Sequence, residues 1–126
     1  MAFQNFHKMD VYKKCRIFRK DVSEIVKKHF PPHEKFLISA QILDASRSIT
    51  ANIAKGHGRF HYQENIQFCR VARGSISETL EHLITAFDED YITKVLLEKM
   101  KKQYDDCLYS LNSYIAYLKR KKKDDK

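Results

Sequence analysis

The stretch Ile49–Phe60, ITANIAKGHGRF, holds two of the chain's three glycines and sets Lys55, His57 and Arg59 on alternate residues around them. It reads either as a loop that grips a phosphate or as a bend between two helices, and the choice decides the fold. Gly56-His57-Gly58 begins a dinucleotide-binding pattern, but Arg59-Phe60-His61 supplies no third glycine, and no G-K-[ST] follows. A phosphate-cradling turn must also follow a strand, so that its amides aim at the ligand. The residues before Gly56 have helical periodicity, so the stretch is expected to be a helix–helix bend. Gly56 is then expected at a helix C-cap, where positive φ is favoured, with Lys55 facing the negative end of the dipole.

Periodicity on both sides extends this reading. Val11, Cys15, Phe18, Val22, Ile25 and His29 form one apolar stripe at helical spacing, predicting a first helix over 9–29. Pro31-Pro32 ends it, because proline disfavours helical conformation in the residue before it. A second helix is predicted over 34–55, with Ile38, Ile42, Ala45, Ile49 and Ile53 inward and Asn52 at the edge. A third, over 62–88, has Cys69, Ala72, Ile76, Leu80, Leu83 and Phe87 on one face. Asp88-Glu89-Asp90 marks a short link to a fourth, over 91–121, with Leu97, Met100, Tyr104, Leu108, Leu111, Ile115 and Leu118 inward. The expected fold is all-α: an antiparallel, up-down-up-down four-helix bundle in a single domain over 1–121, with a frayed basic tail over 122–126.

A chain of 126 residues, 43% hydrophobic and 12% aromatic, has material for one such core. Its two prolines and three glycines are too few to punctuate many short strands. No apolar run approaches the roughly 18–20 residues that span a bilayer, and MAFQNFHKMD lacks the apolar core of a signal peptide. The expected location is the cytoplasm, away from any membrane.

Little in the sequence suggests chemistry. Cys15, Cys69 and Cys107 are widely spaced and fall one to a helix, as core residues rather than disulfide or zinc ligands. The pairs His29/His33 and His57/His61 are four apart, but prolines or glycines interrupt each, and no third metal ligand is evident. There is no nucleophile elbow and no Ser/His/Asp or Cys/His constellation. Catalytic residues, metals and cofactors are therefore all expected to be none. A nuclease built from scattered carboxylates has nothing pointing to it.

The charge is more informative. The net +8 is uneven: residues 1–30 carry eight Lys/Arg against three acids, residues 91–126 ten against five, and residues 61–90 two against six. Lys13, Arg16, Lys20 and Lys27 share a narrow sector opposite the first helix's core stripe. Such a row, with Arg59, Arg70, Arg73 and the basic tail, is a candidate surface for nucleic-acid phosphates. A second line on helix two contains Phe36, Leu43, Arg47, Thr50 and Ala54, and one on helix three contains Val71, Ser75, Glu78 and His82 beside Gly74. Two faces per helix suggest a subunit interface built from Leu43, Arg47, Val71, Gly74, Ser75 and Glu78.

These residues also carry a likeness. Gln41, Ser48-Ile49, Asn52-Ile53-Ala54, Gly56, Phe68, Ala72, Gly74-Ser75, Glu78 and Asp90-Tyr91-Ile92 resemble the bacterial 23S rRNA intervening-sequence protein family. The similarity runs from about Val11 to Leu118 and is specific over 48–83; where the family usually has glutamate after asparagine-isoleucine-alanine, this chain has Lys55. The resemblance implies a four-helix bundle assembled as a ring homopentamer, with no established enzymatic activity. Some members are encoded in sequences inserted into 23S rRNA genes, which implies association with RNA. The accessory protein of diversity-generating retroelements is similar in fold and charge and partners a reverse transcriptase.

Two functions follow as expectations. The leading one is a non-enzymatic, oligomeric protein binding RNA or other nucleic acid through phosphate contacts. The alternative is a structural adaptor for a protein partner such as a reverse transcriptase, using the same surface or Tyr109, Tyr114 and Tyr117.

Overall fold

A computed structural model describes residues 5–124. Its regular elements are four α-helices: α1 (Asp10–His29), α2 (Ile38–Gly58), α3 (Tyr62–Asp88) and α4 (Lys94–Asp124), with short 3-10 turns at Phe6–Lys8 and Pro32–Glu34. Among the described residues there is no strand. Residues 1–4 of the expected domain and 125–126 of the expected tail lie outside the described residues.

The prolines act as expected on α1. Phe30 is extended, with φ −80° and ψ 133°, and Pro32 opens the 3-10 turn. That turn delays α2 to Ile38, four residues later than its periodicity alone predicts. Phe30 itself is buried, whereas His29, expected on the core stripe, is exposed.

The opening stretch corrects one expectation. Gly56 is neither a C-cap nor at positive φ: α2 runs on through Gly58, and the left-handed residue of the link is Phe60, at φ 60°. Gly56 is instead a contact point. A methyl there would stand 2.6 Å from Asn65 Oδ1, 3.0 Å from Phe68 Cβ and 3.1 Å from the Asn65 carbonyl oxygen. The glycine lets the backbones of α2 and α3 meet.

The link from α3 to α4 is a Schellman motif, with Asp90 in the left-handed position at φ 65°. The Asp90 N–H donates to the Phe87 carbonyl at 3.0 Å and the Tyr91 N–H to the Ala86 carbonyl at 2.9 Å. A short polar side chain tolerates this conformation better than most. Thr93 then caps α4, its Oγ1 accepting from the Leu96 N–H at 3.2 Å. The helix continues through Asp124, so the residues 122–124 expected to fray are helical.

The core is assembled from the predicted stripes: Val11, Cys15, Phe18, Val22 and Ile25 of α1 meet Ile42, Ile49 and Ile53 of α2, with Cys69, Ala72, Ile76 and Leu83 of α3 and Leu97, Met100, Leu111, Ile115 and Leu118 of α4. All three cysteines are free and buried among them. Leu80, Phe87, Tyr104 and Leu108 are only partly buried.

Small and polar residues concentrate where α2 meets α3, the most extensive helix contact in the molecule. Asn52 Nδ2 donates to Ser48 Oγ at 2.9 Å, and Ser75 Oγ donates to the same oxygen, also at 2.9 Å. Thr79 Oγ1 donates to the Ser75 carbonyl at 2.8 Å. Asn65 Nδ2 donates to Tyr114 Oη at 3.0 Å, carrying the seam across to α4.

Replacing Gly56 by alanine should destabilise the fold by about 1–3 kcal/mol through overpacking. Gly58→Ala, with nothing within 4 Å of its Cβ, should not. Urea unfolding followed by circular dichroism measures the difference, and equal midpoints would remove Gly56 from the seam.

Candidate nucleic-acid interface

Lys13, Arg16 and Lys20 lie exposed on α1 across two helical turns, and among the described residues none is within ion-pairing distance of a carboxylate. Their neighbours differ. Lys14 Nζ is 3.2 Å from Asp10, and Lys27 and Lys28 flank Glu24 at 3.7 and 3.9 Å. Lys27 therefore belongs to the predicted row by position, but part of its field is cancelled by Glu24. The Asp10 carboxyl, bonded by Lys14 and by Ser110 Oγ, is held below its ordinary pKa and stays charged. The same helix thus keeps one neutralised flank and one uncompensated face.

The other predicted cations do not join that face. Arg59 reaches back to Glu64 at 3.7 Å and lies 5.3 Å from the Phe68 ring centroid. Arg73 Nη1 donates to Asn112 Oδ1 at 2.9 Å, bridging α3 to α4. Arg70 is exposed on α3 at an open cleft against the end of α4, where it meets Lys119, Lys122 and Lys123. These three lysines were missing from the residues predicted individually, because a basic tail gives no sign of which helix it will lie against.

The predicted subunit-interface residues are also divided. Leu43 is half-buried, Arg47 exposed, Val71 53% exposed, and Gly74 has nothing within 4 Å of a Cβ position. Glu78 is exposed and engages His82 of its own helix at 3.3 Å. Ser75 is a correction: it is buried, with its hydroxyl bonded to Ser48 inside the chain, so it faces α2 and not a neighbouring subunit. Thr50, on the second line of α2, is likewise buried and accepts from Arg19 Nη1 at 2.7 Å.

Burial pushes the Cys69 thiol up to about 12, and the Cys15 thiol is raised by its hydrogen bond with the Cys107 thiol and by burial. Among the described residues no group of three or more His, Cys, Asp or Glu is placed to hold a metal ion. No described helix is long and apolar enough to cross a membrane. Of the tyrosines, Tyr109 is 75% exposed, whereas Tyr114 turns inward to Asn65 and stacks on Tyr117 at 6.2 Å. Burial holds the Tyr114 hydroxyl protonated, at about 12.

Part of the set of residues that carries the sequence likeness has a common place in this geometry, whereas Gln41, Gly74 and Glu78 are exposed and Asp90 and Tyr91 form the link to α4. Ser48, Asn52, Gly56, Phe68 and Ser75 all belong to the α2–α3 seam. They identify a way of packing two helices more than a binding surface.

Comparison with known proteins agrees with the four-helix fold. The crystal structure of a protein of unknown function from the S23 ribosomal protein family of Bacteroides thetaiotaomicron VPI-5482 is similar at a TM-score of 0.76 and 25% identity, covering 83% of this chain and 97% of that one. No curated protein matches the sequence. The family model described as 23S rRNA-intervening sequence protein matches residues 7–113, and the chain belongs to that family.

Proposed function

We propose that the protein is a non-enzymatic, oligomeric RNA-binding four-helix bundle that acts in the cytoplasm. The observation that carries this reading is the exposed, uncompensated row Lys13, Arg16 and Lys20 on α1. Exposed charges of this kind contribute little to stability. What they supply is a positive field, in a protein of net charge +8, suited to sequence-independent phosphate contacts. The family description, with its reference to 23S rRNA, supports RNA as the nucleic acid.

The assembly proposed is an up-down-up-down bundle arranged as a ring homopentamer. The register of the interhelix pairs supports the topology: Gln63, Asn65 and Arg73 of α3 bond Lys122, Tyr114 and Asn112 of α4, and Asp10 and Asp21 of α1 bond Ser110 and Gln103 of α4. In each series the partner number falls as the helix ascends. Half-exposed Val71 and the open surface at Gly74 support an unfilled face on α3. Repeating a weak basic face around a ring would raise affinity without any new type of contact. The second reading, an adaptor for a protein partner, draws on the exposure of Tyr109.

Changing Lys13, Arg16 and Lys20 together to glutamine should weaken binding of a structured RNA by about tenfold or more near 0.1 M salt, with native mass unchanged. Unchanged RNA affinity would remove this face from the function, and no RNA binding by the unsubstituted chain would favour the adaptor. Separately, Gly74→Leu should lower the native mass in analytical ultracentrifugation without loss of helicity. A monomeric mass for the unsubstituted protein would contradict the ring.

A further inference from the structure

The end of the bundle where α3 begins and α4 finishes holds an open cleft of about 340 Å³, lined by Gln63, Ile66, Arg70, Lys119, Lys122 and Lys123. Four of these six residues are cations and none is a carboxylate. Among the described residues Arg70, Lys119 and Lys123 make no side-chain hydrogen bond or ion pair. Lys122 donates to Gln63 Oε1, tying one wall to the other. Ile66, 2% exposed, gives the cleft an apolar base.

The lysines alone have an ordinary explanation, since cations near a helix C-terminus are favoured by the dipole. That account does not reach Arg70, which projects from a different helix toward the same space. Nor does it favour the convergence of four like charges, whose mutual repulsion an anion would relieve. Gln63 lies in the first turn of α3, but the positive end of that dipole is offset by the negative end of α4 and by Glu64, so the field of the cleft comes from its four cations. The cleft is therefore a place where two helices bring positive potential together around a space large enough for a ligand.

We propose that this cleft binds backbone phosphates of an RNA strand, as a contact surface separate from the α1 row. The inference rests on the RNA-binding reading and adds the residues that read the phosphates. Arg70 offers a planar fork to phosphate oxygens and the lysines offer point charges. Lys119 and Lys123 lie four residues apart, about 6 Å along α4, so both line one side of the cleft.

The test uses the full chain and a fluorescently labelled single-stranded RNA of about twenty nucleotides, followed by anisotropy across a salt series. Arg70→Gln/Lys119→Gln/Lys123→Gln, which spares the Lys122–Gln63 tie, is the variant, with helicity and native mass as controls. The expected result is affinity lower by about tenfold, and a log–log salt slope shallower by about 2 if three phosphate contacts are lost. Unchanged affinity and slope, in a background where Lys13→Gln/Arg16→Gln/Lys20→Gln does weaken binding, overturns the cleft and leaves the RNA-binding reading standing. Absence of RNA binding by the unsubstituted chain overturns both.

Discussion

The close approach of α2 to α3 at Gly56 is the constraint on which the structure depends. Because that residue has no side chain, Asn65 and Phe68 of α3 come against the α2 backbone. Asn65 can then serve as a buried junction, accepting from Cys69 Sγ at 3.5 Å and donating to Tyr114 of α4. A buried amide left without such partners would cost about 1–3 kcal/mol. The packing of three helices at this end of the bundle thus follows from one missing methyl group. Further along the seam, Ser48, Asn52 and Ser75 replace apolar interdigitation with hydrogen bonds between small side chains.

That seam fixes where the charges fall. Once α3 is held against α2 and α4, Arg70 is carried to the end of α4, and Arg73 is occupied by Asn112. On α1 the flank toward α4 is neutralised or hydrogen-bonded, through Asp10 with Lys14 and Ser110 and through Asp21 with Gln103. Among the described residues the outer row and the cleft are two groups of unpaired cations on different helices, and single cations such as Arg47 and Lys55 are also exposed and unpaired. Folding gathers part of a diffuse excess of positive residues into two local groups, one on α1 and one between α3 and α4.

The bundle was legible in the sequence because burial imposes its own period. Val11, Cys15, Phe18, Val22 and Ile25 must recur at helical spacing to face one core, and Pro31 must end the helix that they define. Gly56 was harder to read. A glycine at an apparent helix end has a ready local explanation as a cap, whereas its true partners lie nine and twelve residues on, across a turn. Ser75 misled for a related reason: its place between two helices depends on rotation about the α3 axis that a polar residue in a mixed stripe does not specify. Lys122 and Lys123 read as a frayed tail and Lys119 as the polar end of the last helix, and only the continuation of α4 beside α3 turns them into a cleft wall. Periodicity gives faces; which charges meet across helices needs the tertiary fold.

Whether surface charge on this protein reads RNA phosphates is decided first with the unsubstituted chain. Binding of a structured 23S rRNA fragment and of an unrelated RNA of equal length would be followed across a salt series. The expected result is binding to both that weakens steeply with salt, the slope reporting the number of phosphates neutralised. Failure to bind either RNA at low salt would contradict it, and would make the uncompensated row and the cleft no more than solvated surface.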